Sequence, residues 1–173
     1  MTLRLVKAEE RYKEAIVDFL DEWQKSGEKI TPYAVTKGDV HDFPAYCEAI
    51  ELKEPKDGLV PDSTFFCLEE ESGQIVGAVN IRHYLNDYLR MYGGHIGDGV
   101  RPSRRNEGIA TKMIALALEE CKKLGIDRVL MTCDRDNIAS ARSIQKNGGV
   151  LENEVNDGEE ILQRYWIDLH EKG

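Results

Sequence analysis

Apolar residues recur along this chain at two spacings, and the spacings divide it into elements. Thr2 to Val6 alternates with Leu3 and Leu5 on one side, as a short strand does, and Ala8 to Ser26 places Tyr12, Ile16, Phe19, Leu20 and Trp23 at helical intervals. Ser26-Gly27 closes that helix. A looser segment with Pro32 and Gly38 precedes a second, shorter helix. Asp39 can cap it, Pro44 falls in its first turn, and Val40, Phe43, Tyr46, Cys47 and Ile50 form its apolar side. Pro55 to Gly58 breaks it. From Thr64 the period becomes two: Thr64 to Glu69, a turn at Glu71-Ser72-Gly73-Gln74, and Ile75 to Ile81 predict a hairpin.

Tyr84 to Tyr92 has no clean period and reads as a short helical or irregular insertion. Gly94 to Val100 resumes as a strand, in which Gly94, Gly97 and Gly99 suit a bulge or the close approach of another backbone or ligand. Asn106 to Leu124 is strongly amphipathic, with Ala110, Met113, Ile114, Ala117, Cys121 and Leu124 on one face and Gly125 as the closing residue. Arg128 to Cys133 reads as a buried strand, and Asp136 or Asn137 caps a helix through Lys146 that ends at Gly148-Gly149. Val150 to Val155 and Ile161 to Leu169, joined at Asn156-Asp157-Gly158, make a closing hairpin. The order β-α-α-β-β-β-α-β-α-β-β predicts an α+β fold. Its mixed α/β sheet is mostly antiparallel, with one parallel splayed pair supplied by the strand-helix-strand unit around Asn106 to Leu124.

Composition narrows the function classes. The 173 residues, 41% of them hydrophobic, suit one domain over residues 1–173. A formal net charge of −9 argues against nucleic acid as a partner, so any anion has to be held locally. Cys47, Cys67, Cys121 and Cys133 lie too far apart for a zinc site or a compact disulfide framework, so they read as reduced thiols and no metal is expected. There is no basic-then-apolar leader and no apolar run near the ~18 residues that span a bilayer. A soluble, cytoplasmic protein with no membrane partner is the expectation.

The candidate chemistry lies at Gly97 to Thr111, where a strand passes through the basic turn Arg101-Pro102-Ser103-Arg104-Arg105 into the amphipathic helix. Free backbone N–H groups at a helix start, kept bare by Gly108 and Ala110, suit an anionic group such as pyrophosphate. The stretch lacks the glycine-lysine-serine/threonine ending of a nucleoside-triphosphate loop and the three-glycine dinucleotide fingerprint.

Val100, Pro102 and Arg105-Asn106-Glu107-Gly108-Ile109-Ala110 resemble the Arg/Gln-x-x-Gly-x-Gly/Ala signature of the GCN5-related N-acetyltransferase family. A second stretch, Asn137-Ile138-Ala139-Ser140 through Gly148, resembles that family's Asn-x-x-Ala/Ser helix ending in glycine, and the element order matches as well. The resemblance covers roughly residues 64 to 169 and implies a GNAT-like fold using acetyl-CoA as co-substrate. It places acetyl-CoA against the Gly94 to Val100 strand, with the pantetheine arm between that strand and Arg128 to Asp134. The pyrophosphate would accept N–H bonds from Arg105, Asn106, Glu107, Gly108, Ile109, Ala110 and Thr111. The family's asparagine, here Asn137, touches the pantetheine or phosphate region, with Ser140 beside it in the same motif. Two departures stand out: Ile144 holds the place of the tyrosine that protonates the departing thiolate in many relatives, and Gly149 that of a frequent phenylalanine.

Acetyl transfer needs a neutral amine, a carbonyl polarised by backbone N–H, and a route for a proton from the amine to sulfur. The N–H of Val100 or its neighbour is the natural polariser. Asp98 is the first choice of base, since burial would raise its pKa; a carboxylate there equally suits a bond to nearby backbone or arginine. His95 and His83 are alternative bases or packed side chains. Tyr92, among Tyr84, Tyr88, Tyr92 and Tyr165, is the first choice to replace the missing acid. Cys133 could relay an acetyl group or simply pack. Arg101, Arg104 and Arg105 form a basic cluster that is expected to meet phosphate. Together these readings predict direct transfer of an acetyl group from acetyl-CoA to a primary amine on a small molecule or peptide. The alternatives are a non-catalytic acyl-CoA-binding sensor or interaction module and a small-anion or nucleotide-binding module; a homodimer is left open.

Overall fold

The structure, a computed structural model, describes residues 1–170; the last three residues of the expected 1–173 domain lie outside them. Its strands are β1 (Leu3–Val6), β2 (Asp62–Glu69), β3 (Gln74–Arg82), β4 (Ile96–Val100), β5 (Arg128–Asp134), β6 (Val150–Asn156) and β7 (Ile161–Asp168). Its helices are α1 (Lys13–Ser26), α2 (Phe43–Ala49), α3 (Ile109–Lys123) and α4 (Ile138–Lys146). The order of elements is the one that the apolar spacing predicts.

Boundaries moved where backbone geometry overrode the side-chain pattern. The first helix starts at Lys13, behind a 3₁₀ turn at Glu10–Tyr12, and ends at Gly27 with φ 75°, where a left-handed residue is needed. Asp39 does not cap α2. It organises the preceding turn, its carboxylate accepting from His41 N (2.9 Å) and its carbonyl from Asp42 N (3.0 Å), so α2 begins at Phe43 and Val40 falls outside it. The unpatterned insertion contains a π-helical turn at Leu89–Gly93.

β1, β2, β3 and β4 form one antiparallel sheet in that order, and β5, β7 and β6 form a second. Where one mixed sheet is expected, β4 and β5 touch without making a ladder. His95 N–H donates to Leu130 O (2.7 Å) and Leu130 N–H to His95 Nδ1 (2.9 Å). The carbonyl of Tyr92, just before β4, is taken by the Thr132 hydroxyl of β5 (2.8 Å) instead of by its backbone. Side chains therefore fill the places that ladder bonds would occupy, and the strands are splayed. The contact depends on Gly94, since a Cβ there would stand 2.5 Å from Leu130 O.

Two apolar cores flank the first sheet, because successive side chains of a strand point to opposite faces. Val79, Ile81 and Ile96 pack with α3 residues Ile109, Met113, Ile114 and Ala117 and with Val129 and Met131 of β5. Phe66, Leu68 and Ala78 pack with α1 residues Ile16, Phe19 and Trp23 and with Phe43 and Tyr46 of α2. On that second face Gly99 lies so close to the turn after α1 that a Cβ would overlap the Thr31 carbonyl. The α3-side core thus holds β4 on one face and the Thr31 turn meets it on the other, while its outer edge stays open toward β5.

Candidate active site at the splayed strands

The outer edge of β4 is the first part of the site. Arg101 N–H donates to Val76 O (2.9 Å) and Arg82 N–H to His95 O (2.7 Å). With Asn80 opposite Gly97 and Ala78 opposite Gly99, the alternation of an antiparallel ladder makes Gly97, Gly99 and Arg101 bond back to β3. The backbone groups of Ile96, Asp98 and Val100 consequently point the other way, toward the gap. Val100 N–H has the direction required of a donor to a ligand carbonyl lying there.

The helix start is the second part. β4 leads through a 3₁₀ turn at Pro102–Arg104 to Arg105 in extended backbone, and α3 begins only at Ile109, later than the expected Asn106. Asn106 (φ 65°) and Gly108 (φ 78°) both adopt the left-handed conformation, which an α-helix excludes. This turns successive N–H groups inward as an anion-binding concavity. No protein acceptor for the N–H of Arg105, Asn106, Glu107, Gly108, Ile109, Ala110 or Thr111 occurs among the described residues. A Cβ on Gly108 would meet nothing within 4 Å, so the space above it is open to a ligand.

The arginines beside this turn do different work from the one expected of them. Arg101, 2% exposed, is a structural tie: it reaches Ile75 O (2.9 Å), Asp18 (2.9 Å) and Glu22 (2.8 and 3.0 Å). Glu22 also accepts from Ser103 N (2.9 Å) and Ser103 Oγ (2.7 Å). Burial pushes the Glu22 carboxyl up, but the Arg101 and Ser103 hydrogen bonds outweigh it and hold the carboxyl down at about 2. Arg104 is committed to Glu69 (2.7 Å), Glu107 (3.0 Å) and Gln74 (2.7 Å). Arg105 remains at the surface, paired with Glu28 (2.9 Å) and stacked on Trp23 at 5.1 Å. An anion bound here would be held mainly by backbone N–H and the α3 dipole, with Arg105 alone at hand among the three arginines.

The second helix motif is stitched to the first. Asn137 Oδ1 caps α4 by accepting from Ser140 N (3.1 Å), leaving its amide NH₂ without a protein acceptor among the described residues. Thr111 Oγ1 donates to Ser143 Oγ (3.2 Å), while Asn147 Nδ2 donates to Thr111 O (3.0 Å). Ser140 lies by Cys133, whose thiol burial pushes up to about 11, so it is protonated at neutral pH. That agrees with a packed thiol and speaks against a thiolate relay. Ile144 is fully buried in the α3-side core, and Gly149 fits against it because a Cβ would stand 2.5 Å from Ile144 Cγ2.

Asp98 shares its sheet face with Val79 and Ile96 and has no hydrogen-bond partner among the described residues. Burial raises its pKa from 3.8 to about 6, with the positive charge of Arg82 working against the rise. The tie to backbone or arginine that was its other reading is absent. His95 is buried and held near 4, first by burial and then by the charges of Arg82 and Arg90, and its Nδ1 is used by Leu130; it is a neutral structural link. His83 bonds Ser63 through Nε2 (2.8 Å). Tyr92 is part-exposed in the turn before β4, its ring tilted against Tyr88 at 5.5 Å, and its hydroxyl has no protein partner among the described residues.

A free helix start, a splayed strand edge and an unpartnered carboxylate thus share one stretch of chain, from β4 to the start of α3, beside the gap between β4 and β5. The family model described as "Acetyltransferase (GNAT) family" matches residues 17–148. The chain belongs to the GNAT acetyltransferase family. No curated protein matches it in sequence at a significant level. Its fold is similar to Mycobacterium smegmatis RimJ in complex with CoA-disulfide (TM-score 0.68, 22% identity, 96% of this chain and 82% of that one). It is also similar to the ribosomal-protein-S5-alanine acetyltransferase of Vibrio fischeri (TM-score 0.68, 16% identity, 96% and 91%). A third likeness is to the microcin C7 self-immunity acetyltransferase MccE in complex with acetyl-CoA and AMP (TM-score 0.68, 17% identity, 96% and 92%).

Two GNAT-site features had no signature in the sequence. Asp18 and Glu22 look like the solvated side of an amphipathic helix, and nothing pairs them with Arg101 and Ser103 some eighty residues on. Arg82, at the end of β3, reads as an ordinary charged strand terminus. Among the described residues, no helix is long and apolar enough to cross a membrane.

Proposed function

We propose that this GNAT enzyme transfers the acetyl group of acetyl-CoA directly to a primary amine on a small molecule or peptide. The observation that carries the reading is the run of unpartnered N–H groups from Arg105 to Thr111, continuous with the open edge of β4. A pyrophosphate at the turn and a thioester along the edge would fill both sets of donors, and Gly108 leaves the room.

The residues present supply the rest of the chemistry. The Val100 N–H polarises the thioester carbonyl and stabilises the oxyanion that forms as the amine nitrogen attacks. Asp98, ionised above about pH 6, accepts the proton that the amine loses. The C–N bond forms, the C–S bond breaks, and CoA leaves as a thiolate that takes a proton from the Tyr92 hydroxyl. Ile144 has no proton to give and no exposure. Asn137 and Ser140 flank the pantetheine.

The test is release of CoA thiol from acetyl-CoA over a panel of amines, with acetyl-CoA affinity measured by calorimetry. Acetyl-CoA binding with amine-dependent CoA release is expected. Binding without release for any amine would leave only a sensor; absence of binding would remove the cofactor placement.

A further inference from the structure

Arg82, part-buried beside β4, has no ion-pair partner among the described residues. It is part-buried at the end of β3, directly above β4: a Cβ on Gly97 would stand 3.2 and 3.3 Å from its two terminal nitrogens and 3.4 Å from Pro32 Cβ. Its single hydrogen bond is a long one, 3.3 Å, to the carbonyl of Gly93. No carboxylate of the described residues comes within 4.0 Å of it. The nearest candidates are otherwise placed: Asp62, its cross-strand partner, accepts from Leu52 N (2.7 Å), and Asp98 lies on the opposite sheet face. Arg101 and Arg104 in the same protein have two and three side-chain acceptors each, so a part-buried arginine this idle departs from the pattern of the fold.

A guanidinium has five N–H donors in a rigid fork. Holding one with a single weak acceptor in a poorly solvated place costs free energy, and native folds retain such groups where a ligand completes them. Trp23 Nε1 is the sole fully enclosed side-chain polar atom without a partner among the described residues. The unbonded nitrogens of Arg82 are therefore still reached by solvent, beside Pro32 and the first residues of β4. One residue further along is Asp98, close enough for its charge and that of Arg82 to act on each other's ionisation.

We infer that Arg82 binds a carboxylate of the acceptor, so that the substrate is an amine bearing a carboxylate a short distance from its nitrogen, as in an amino acid. The inference rests on the acetyl-transfer reading and narrows its substrate class. A planar carboxylate matches the fork in two parallel bonds, which an ammonium in place of the guanidinium cannot reproduce. The carboxylate anchors the molecule over Gly97 while the amine reaches the open edge of β4.

The experiment compares matched acceptors with acetyl-CoA. They are free amino acids, the same amino acids as α-amides, the corresponding decarboxylated amines, and N-terminally free tripeptides with aspartate at the second position. Carboxylate-bearing acceptors should exceed their amides in kcat/KM by about 10- to 100-fold, and the amino acid and peptide arms show which source of carboxylate fits. Arg82→Gln should collapse that ratio toward one by raising the KM of the carboxylate acceptor, with acetyl-CoA affinity kept as evidence of an intact fold, and Arg82→Lys should restore only part of it. Equal turnover of acid and amide by the wild type, or an equal loss on both in Arg82→Gln, would overturn the inference. A binding arm decides the point even if no amine is turned over. N-acetylphenylalanine should raise Tm saturably in the wild type and not in Arg82→Gln, whereas N-acetylphenethylamine should do so in neither; identical responses to the two ligands would count against Arg82.

Discussion

Glu22 on α1 holds the turn that precedes the free N–H groups of Arg105 to Thr111, and Glu22→Gln measures how firmly. In the wild type the carboxylate receives four hydrogen bonds, two from Arg101 and two from Ser103. A glutamine keeps the shape but turns an NH₂ toward donors and leaves the guanidinium of Arg101 answered only by the more exposed Asp18 and one carbonyl. The carboxyl is held at about 2 against an ordinary 4.5. At about 1.36 kcal/mol per pKa unit that difference corresponds to about 3 kcal/mol. The Glu22 side chain is 27% exposed, so screening reduces the expected loss to about 2 kcal/mol. For a chain of this size that lowers Tm by about 4–8 °C. The sign is fixed by linkage: a depressed carboxyl contributes fully above about pH 4.5 and loses its contribution as pH falls toward 2, so the wild type should lose its advantage over Glu22→Gln in that window. Thermal unfolding of both proteins between pH 7 and pH 3.5 tests this, and acetyl-CoA affinity should fall about tenfold as the turn loosens. A Tm difference below about 1 °C at pH 7, or one that stays constant as pH falls, would refute the reasoning.

Three further substitutions probe separate parts of the site. Asp98→Asn should lower kcat/KM by about 10²–10⁴ and abolish the rise of activity through about pH 6. Because that pKa is raised, ionised Asp98 costs stability above about pH 6, so Asp98→Asn should gain about 1–3 kcal/mol at pH 8 and nothing below about pH 4; an unchanged pH–rate profile would remove Asp98 from catalysis. Gly99→Ala should destabilise by about 1–3 kcal/mol or more, since its Cβ overlaps the Thr31 carbonyl, and an unaltered urea midpoint would contradict the packing. Gly108→Ala has space but a φ of 78°, so it should cost about 1–2 kcal/mol of stability and weaken acetyl-CoA binding measured by calorimetry; full affinity in the folded variant would contradict the cradle.

The sequence by itself determined the elements and their order. Spacing of three to four in α1 and α3, spacing of two in β2 and β3, and glycine or proline punctuation are local properties of side chains and backbone, written in consecutive residues. The two motif stretches were legible for the same reason, since a helix start with free N–H groups and an asparagine cap are built from neighbouring residues. Only the tertiary structure decided what faces what. Arg101 and Arg104 look no different in sequence from Arg105, yet Glu22 and Glu69, distant in the chain, take the first two away from any ligand. Asn106 belongs to the amphipathic pattern of α3 but is set outside it by a left-handed backbone. The splay of β4 from β5, the isolation of Asp98 and the unanswered charge of Arg82 arise from long-range packing. Burial and partnership depend on elements separated by tens of residues, and no local pattern encodes them.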